Sequence, residues 1–160
     1  MVVYRIAKEK YIRDLAGTGA RLSGGRWNNK GVGILYASES RALAIVETLV
    51  HVGLGILPKN MSIVSIQVRK GITPKEISTS DLPDNWRAYP YLPEVADIGS
   101  KWALSNETLL LRVPSAVTPH EFNILINPSH PDFKHVKIID IEDFTYDERI
   151  MRLLRKRSTP

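Results

Sequence analysis

The sequence predicts a single α+β domain, residues 1–160, with a mixed β-sheet core and helices packed around it. Length is the first observation: 160 residues make one domain large enough to bury roughly two-thirds of its unfolded surface. Short apolar runs bounded by glycine, proline or serine are the second, because such runs read as buried strands. The third is a set of longer segments of helical character between and after those runs, so neither an all-α nor an all-β architecture fits.

Val2-Val-Tyr-Arg-Ile6 opens the chain as a short strand, with Tyr4 and Ile6 on one face and Arg5 on the other. Lys8 to Ala16 reads as a helix, and Thr18 to Gly25 as a loop in which Arg21 and Arg26 flank Ser23-Gly24-Gly25, a cradle suited to an anion. Gly33 to Ala37 is a strand ending near Tyr36, and Ser38 and Ser40 signal the helix that follows. That helix, ALAIVETLVHV from Ala42 to Val52, is apolar on nearly every side and is expected to be largely buried, with Glu47 in its middle.

Met61 to Val68 alternates in its second half, Val64, Ile66 and Val68 against Ser65 and Gln67, and predicts a strand although Ile63 beside Val64 breaks the pattern. Gly71 to Pro93 is proline-rich and predicts a long surface-packed connection with room for one helical turn. Glu94 to Leu104 follows as a helix ending at Ser105-Asn106. Thr108 to Val113 is a strand halted by Pro114, Asn123 to Asn127 another halted by Pro128, and Lys137 to Ile141 the last. Asp147 to Arg157 closes the chain as a basic helix.

Composition narrows the chemistry. The chain has no cysteine, so disulfides, thiolate nucleophiles and cysteine-ligated zinc are excluded, and a reducing cytoplasm is the expected compartment. The longest apolar stretch, Ala42 to Leu57, is interrupted by Glu47, Thr48 and His51 and falls short of the roughly 20 residues a spanning helix needs. The formal charge of +5 favours anionic partners. Part of it, Arg149, Arg152, Arg155, Lys156 and Arg157, sits at the C-terminus, a solvated tail or a docking site for an acidic partner.

No HExxH, GxSxG or Walker A pattern occurs, and His51, His120, His130 and His135 have no metal-site spacing. Trp27, Trp86 and Trp102 read as core. Glu47 is the residue that demands an explanation, since an ionised carboxylate in an apolar helix needs a cation or hydrogen-bond donors. Arg26 is the leading partner, either in an ion pair that fixes register or in a functional site. Ser115, just after Arg112-Val-Pro114, is a turn hydroxyl capping local backbone or a ligand contact at a strand mouth.

Four separated stretches, GARLSGGRWNNKG, ILYASESRALAIVETLVH, IGSKWALSNETLLLRVPSAV and NILINPSHPDF, together resemble the RES domain, named for its Arg, Glu and Ser. The resemblance covers nearly the whole chain in the family's order. It implies a fold similar to ADP-ribosyltransferase toxins and the toxin role in a RES-Xre toxin–antitoxin system. The implied activity is cleavage of the nicotinamide–ribose bond of NAD, by hydrolysis or by phosphorolysis with phosphate as co-substrate. The alternatives are ADP-ribosyl transfer to a protein and, outside enzymology, a basic nucleic-acid or protein-binding module; direct nucleic-acid binding is not what the resemblance implies.

Residue by residue, the family's Arg falls on Arg26, its Tyr on Tyr36, its Glu on Glu47, its Ser on Ser115 and its early Arg on Arg5. Arg5 and Arg26 would hold the pyrophosphate, Tyr36 would face the nicotinamide or orient the ribose, and Ser115 would bond a phosphate or position the acceptor. Glu47 would stabilise the oxocarbenium-like sugar. NAD is then substrate rather than cofactor, no metal is called for, and the implied partner is an Xre-type antitoxin in a higher-order complex. Asn123 and Asn127 match the pattern too and are assigned structural work, as loop-fixing amides.

Overall fold

The computed structural model describes residues 1–51 and 58–150. Strands β1 (Val2–Lys8), β2 (Leu35–Ser38), β3 (Met61–Val68), β4 (Lys75–Glu76), β5 (Leu110–Pro114), β6 (Phe122–Ile126) and β7 (Val136–Phe144) form a seven-stranded sheet in the order β4-β5-β6-β2-β1-β3-β7. Every neighbouring pair is antiparallel except β4 and β5, which run parallel. The sheet is therefore mixed, as expected. Helices α1 (Thr18–Ser23), α2 (Arg41–Leu49) and α3 (Pro93–Ser105) complete the set.

Both faces of the sheet are covered. One apolar cluster gathers Val3, Leu35, Val64, Ile66, Ile124 and Ile126. Another places α3 against Leu111, Val113 and Leu125 through Val95, Trp102 and Ala103, with Trp27 and Trp86 beside them. The three tryptophans are at most 5% exposed, so they are core. Gly99 of α3 allows the closest approach, since a Cβ there would lie 2.0 Å from the Trp27 carbonyl oxygen. A third cluster seats α2 on Ile6, Met61 and Ile63. Residues of β1 alternate between clusters, Val3 in the first and Ile6 in the third, which is the period-2 pattern its sequence shows.

One seam in the sheet is incomplete. Strand β1 pairs with β3 along its whole length, Val2↔Gln67 to Lys8↔Met61, but meets β2 only at Tyr4↔Ser38. Beside this opening lies α2, whose first turn is capped by Ser40 Oγ accepting from the Leu43 N–H at 3.1 Å.

Four expectations change. The segment Lys8 to Ala16 is not a helix: β1 runs to Lys8 and only a 3-10 turn, Glu9–Tyr11, follows. Here Arg5 Nη1 takes the carbonyls of Tyr11, Ile12 and Asp14, while the Asp14 carboxylate takes the N–H groups of Ala16 and Thr18. Side chains thus bind the backbone groups a helix would pair with each other. Thr18 to Gly25, expected as a loop, contains α1, which ends at Gly24 with φ +73°.

Helix α2 is less buried than its composition implies. Leu43 and Ala44 are buried, but Val46 is 37% exposed and Val50, just past the end of the helix, 53%, because one face of the helix does the packing against the sheet. The connection from Gly71 to Pro93 holds its expected turn, Thr79–Asp81 with a Ser78/Asp81 capping box, and also the short β4. It sends Leu82 and Trp86 into the core. Smaller shifts occur at strand ends: Pro114 lies inside β5, and β7 extends to Phe144. Most of the expected C-terminal helix, from 151 onward, lies outside the described residues.

Candidate active site

A cleft of about 270 Å³ opens where β1 and β2 part, lined by Tyr4, Arg5, Tyr36, Ser38, Glu47 and Asn123 among others. Its floor comes from sheet register. Ser38 of β2 stands opposite Tyr4 of β1 and opposite Asn123 of β6, so these three side chains form one row across the sheet. From above, α2 lowers Glu47 toward that row.

Glu47 is partly buried, and its carboxylate is bound through one oxygen. Ser115 Oγ donates to Oε1 at 2.7 Å and Asn123 Nδ2 donates to the same oxygen at 2.6 Å. Oε2 has no partner among the described residues. Both donors are themselves held. Ser115, 1% exposed, accepts the N–H groups of Val117 at 3.1 Å and Thr118 at 2.9 Å, so its proton is left for Glu47. The side-chain Oδ1 of Asn123 accepts from Ser38 Oγ at 2.7 Å, which leaves the side-chain N–H groups toward the carboxylate.

The expected Arg26 to Glu47 ion pair does not form. Arg26 Nη1 donates to the carbonyls of Trp86 at 2.5 Å and Ala88 at 3.2 Å, and Nη2 to that of Arg87 at 3.3 Å. A partly buried carboxylate with two neutral donors does not require a bonded cation, whereas three converging carbonyls attract a guanidinium strongly. Arg26 remains in Glu47's field. Burial lowers its pKa, and Tyr91, Glu47 and Tyr36 work against that shift. Its guanidinium also lies over the Tyr91 ring, 4.9 Å from the centroid.

Tyr36 presents its ring to the cleft while its hydroxyl is fully engaged elsewhere. The hydroxyl donates to Asn28 Oδ1 at 2.7 Å and accepts the Trp27 N–H at 3.0 Å. Burial pushes the phenol's pKa far above its ordinary value. Asn28, 1% exposed, in turn gives its amide to the carbonyls of Ala20, Asn29 and Val32. Gly25 permits this knot: a Cβ there would sit 2.9 Å from the Tyr36 hydroxyl. The Ser23-Gly24-Gly25 turn is closed by a bridge between Gly25 and Asn28, and Arg21 belongs to α1.

Arg5 lines the cleft, with Nη1 on the three carbonyls of the 11–14 turn and its pKa lowered by burial. The cleft lining therefore includes Glu47, Tyr36 and Arg5, Ser115 joins it through its bond to Glu47, and Arg26 is held on the 86–88 carbonyls outside that lining. Asn123, assigned to loop fixing in the sequence reading, is a strand residue bonded to Glu47. Asn127 does hold backbone, donating to Ala103 O and Asn106 Oδ1 at 2.8 Å each. Tyr91 is the other neighbour missed, inside a stretch read as plain connection. Its position after β4 carried no periodicity that could reveal it.

Comparison with known proteins supplies the rest. The family model described as the RES domain matches residues 2–147. A relative from Sphingobium sp. described as a Prs ADP-ribosylating toxin is 46% identical over 87% of this chain and 88% of its own. A relative from Photorhabdus laumondii described as Toxin Res is 37% identical over 95% of this chain and 98% of its own. Among solved structures, a chain of the M. tuberculosis MbcT-MbcA toxin–antitoxin complex superposes with a TM-score of 0.68 at 17% identity, over 97% of this chain and 88% of that one. At that identity the likeness is one of fold.

Proposed function

Because this chain belongs to the RES domain family, we propose that it is the toxin of a toxin–antitoxin pair and that it acts by cleaving the nicotinamide–ribose bond of NAD. The observation that carries this reading is the Glu47 carboxylate, anchored through Oε1 and open at Oε2 beside a cleft.

In the reaction, the electron pair of the C1′–N bond leaves with nicotinamide, which departs neutral from its cationic pyridinium state. Positive charge builds on the ribose as in other glycosyl transfers. A fixed carboxylate oxygen facing that charge lowers the barrier without reorganising. Water or phosphate then bonds C1′ and loses a proton. The leaving group needs no general acid, so one carboxylate suffices. Arg5 and Arg26 add positive potential that favours the pyrophosphate, and the Tyr36 ring supplies an apolar wall for nicotinamide.

A second reading, ADP-ribosyl transfer to a protein, has a specific support: the Sphingobium relative's description as an ADP-ribosylating toxin. The cleft and Glu47 would serve both, with a protein side chain replacing water. The fold shared with a chain of a toxin–antitoxin complex supports an antitoxin partner, which we take to be of Xre type, blocking the cleft within a higher-order cytoplasmic complex. No helix among the described residues is long and apolar enough to cross a membrane.

The test is nicotinamide release from NAD by purified protein, with and without phosphate, alongside Glu47→Ala. Release that disappears in the variant is expected, and dependence on phosphate separates phosphorolysis from hydrolysis. A wild-type protein that leaves NAD intact but labels a target protein from radiolabelled NAD selects the second reading. Intact NAD with no labelled protein rejects both.

A further inference from the structure

The carboxylate of Glu47 can rotate about its terminal torsion, so a single donor on Oε1 would leave the direction of Oε2 undetermined. Two donors arriving from different elements define it. Ser115 reaches Oε1 from the turn after β5, and Asn123 reaches it from β6. The Asn123 amide is oriented by Ser38, which stands directly opposite in the sheet and is 4% exposed. If the amide were reversed, its oxygen would face a carboxylate oxygen at 2.6 Å, a repulsive arrangement.

Resting on the reading of Glu47 as the catalytic carboxylate, we propose that Asn123, oriented by Ser38, is a positioning residue that holds Oε1 and turns Oε2 toward the bound ligand. The chain Ser38 to Asn123 to Glu47 runs from one strand to the next and up to α2. It transfers the rigidity of a sheet register to a side chain on a helix whose outer face is exposed. A tie that merely joined β6 to α2 would need neither the same oxygen as Ser115 nor an amide fixed from its far side.

The experiment compares kcat and KM for nicotinamide release in wild type, Asn123→Ala, Ser38→Ala and Ser38→Thr, with the first two substitutions repeated in a Glu47→Ala background. Each variant is also induced in cells and scored for growth arrest, a readout that does not presuppose NAD. Asn123→Ala should lower kcat about 10- to 100-fold, the range seen when a partner that orients a metal-ligating side chain is removed, with KM changed less than about threefold. Ser38→Ala should lower kcat by less, and Ser38→Thr, which keeps the hydroxyl, should recover most of it. In the Glu47→Ala background neither substitution should cost anything more, because nothing remains to position.

A kcat for Asn123→Ala within twofold of wild type overturns the proposal. So does an effect on KM alone, which would mean direct substrate contact, or a further loss in the Glu47→Ala background. If Asn123→Ala does not fold, as judged by circular dichroism, the Ser38 pair decides on the same criteria. Should wild type arrest growth without releasing nicotinamide, the NAD reading fails and the variants are judged on arrest: arrest retained by Asn123→Ala overturns the positioning role, and arrest lost with fold intact supports it. Neither release nor arrest by wild type overturns both.

Discussion

Two polar clusters lie within the same half of the sheet, and they differ in how completely they are satisfied. Around Asn28, the amide N–H groups meet three carbonyls and the Oδ1 takes the Tyr36 hydroxyl, which itself takes the Trp27 N–H. Around Glu47, which lines the cleft, two donors crowd onto Oε1 while Oε2 is unbonded within the described residues. A closed network stabilises, since each buried group has its partner. An open one keeps a charged atom available to something else. The lesson is that a buried polar residue points to function when its network ends in an open valence.

The sharpest way to break this contrast is Glu47→Ala. Removing an electrostatic stabiliser of this kind costs about a hundred- to thousandfold in rate, so nicotinamide release should fall by that factor. Thermal unfolding should remain close to wild type, as the partly exposed site admits water to Ser115 and Asn123. A large loss of melting temperature would place Glu47 with the closed cluster.

Asn28→Ala should show the opposite profile. Three carbonyls and a tyrosine hydroxyl lose their partner, and leaving buried groups unsatisfied costs about 1–3 kcal/mol for each group left unpaired. Melting should drop by many degrees, while the folded fraction still releases nicotinamide. Asn127→Ala, at the far end of β6 from Asn123, belongs with it: the Ala103 carbonyl is orphaned, a loss of about 1–3 kcal/mol in stability with kcat per folded molecule retained.

Tyr36→Phe tests the boundary between the clusters, because the ring belongs to the cleft and the hydroxyl to the knot. Stability should fall by about 1–3 kcal/mol as Asn28 and Trp27 lose their partner, with release reduced only severalfold. A pH signature accompanies it. Burial raises the phenol's pKa in the folded state, so the neutral phenol's contribution is complete below the unfolded value near 10 and is lost as pH rises above it. Wild type should therefore destabilise above about pH 10 more steeply than Tyr36→Phe in urea titrations. Equal slopes would mean the hydroxyl is not buried in solution.

Among the substitutions expected to lose stability, Ser115→Ala should lose the least. Its hydroxyl caps the Val117 and Thr118 N–H groups as well as binding Glu47. The reading of this serine as a local cap holds, and the same hydroxyl also binds Glu47. A loss of about 1 kcal/mol together with a clear fall in kcat is expected, and a stability loss alone would leave only the cap.

Much of this was legible in the chain itself. The mixed α+β class, the strands from Met61 to Val68 and Asn123 to Asn127, the helix over Glu94 to Leu104 and the tryptophan core follow from apolar periodicity and from proline and glycine punctuation, which act over a few neighbouring residues. Glu47 announced itself as a carboxylate among apolar residues, and the motifs around Arg26, Tyr36 and Ser115 identified the family. Tertiary structure alone decided the partners. Whether Glu47 met Arg26 or Asn123 depended on the register that sets Ser38 opposite Asn123, 85 residues apart, and on the 86–88 carbonyls that capture Arg26. Local sequence encodes which residues need partners, and the packing of distant segments determines which partner arrives, because hydrogen bonds form only within about 3 Å and that distance is set by the fold.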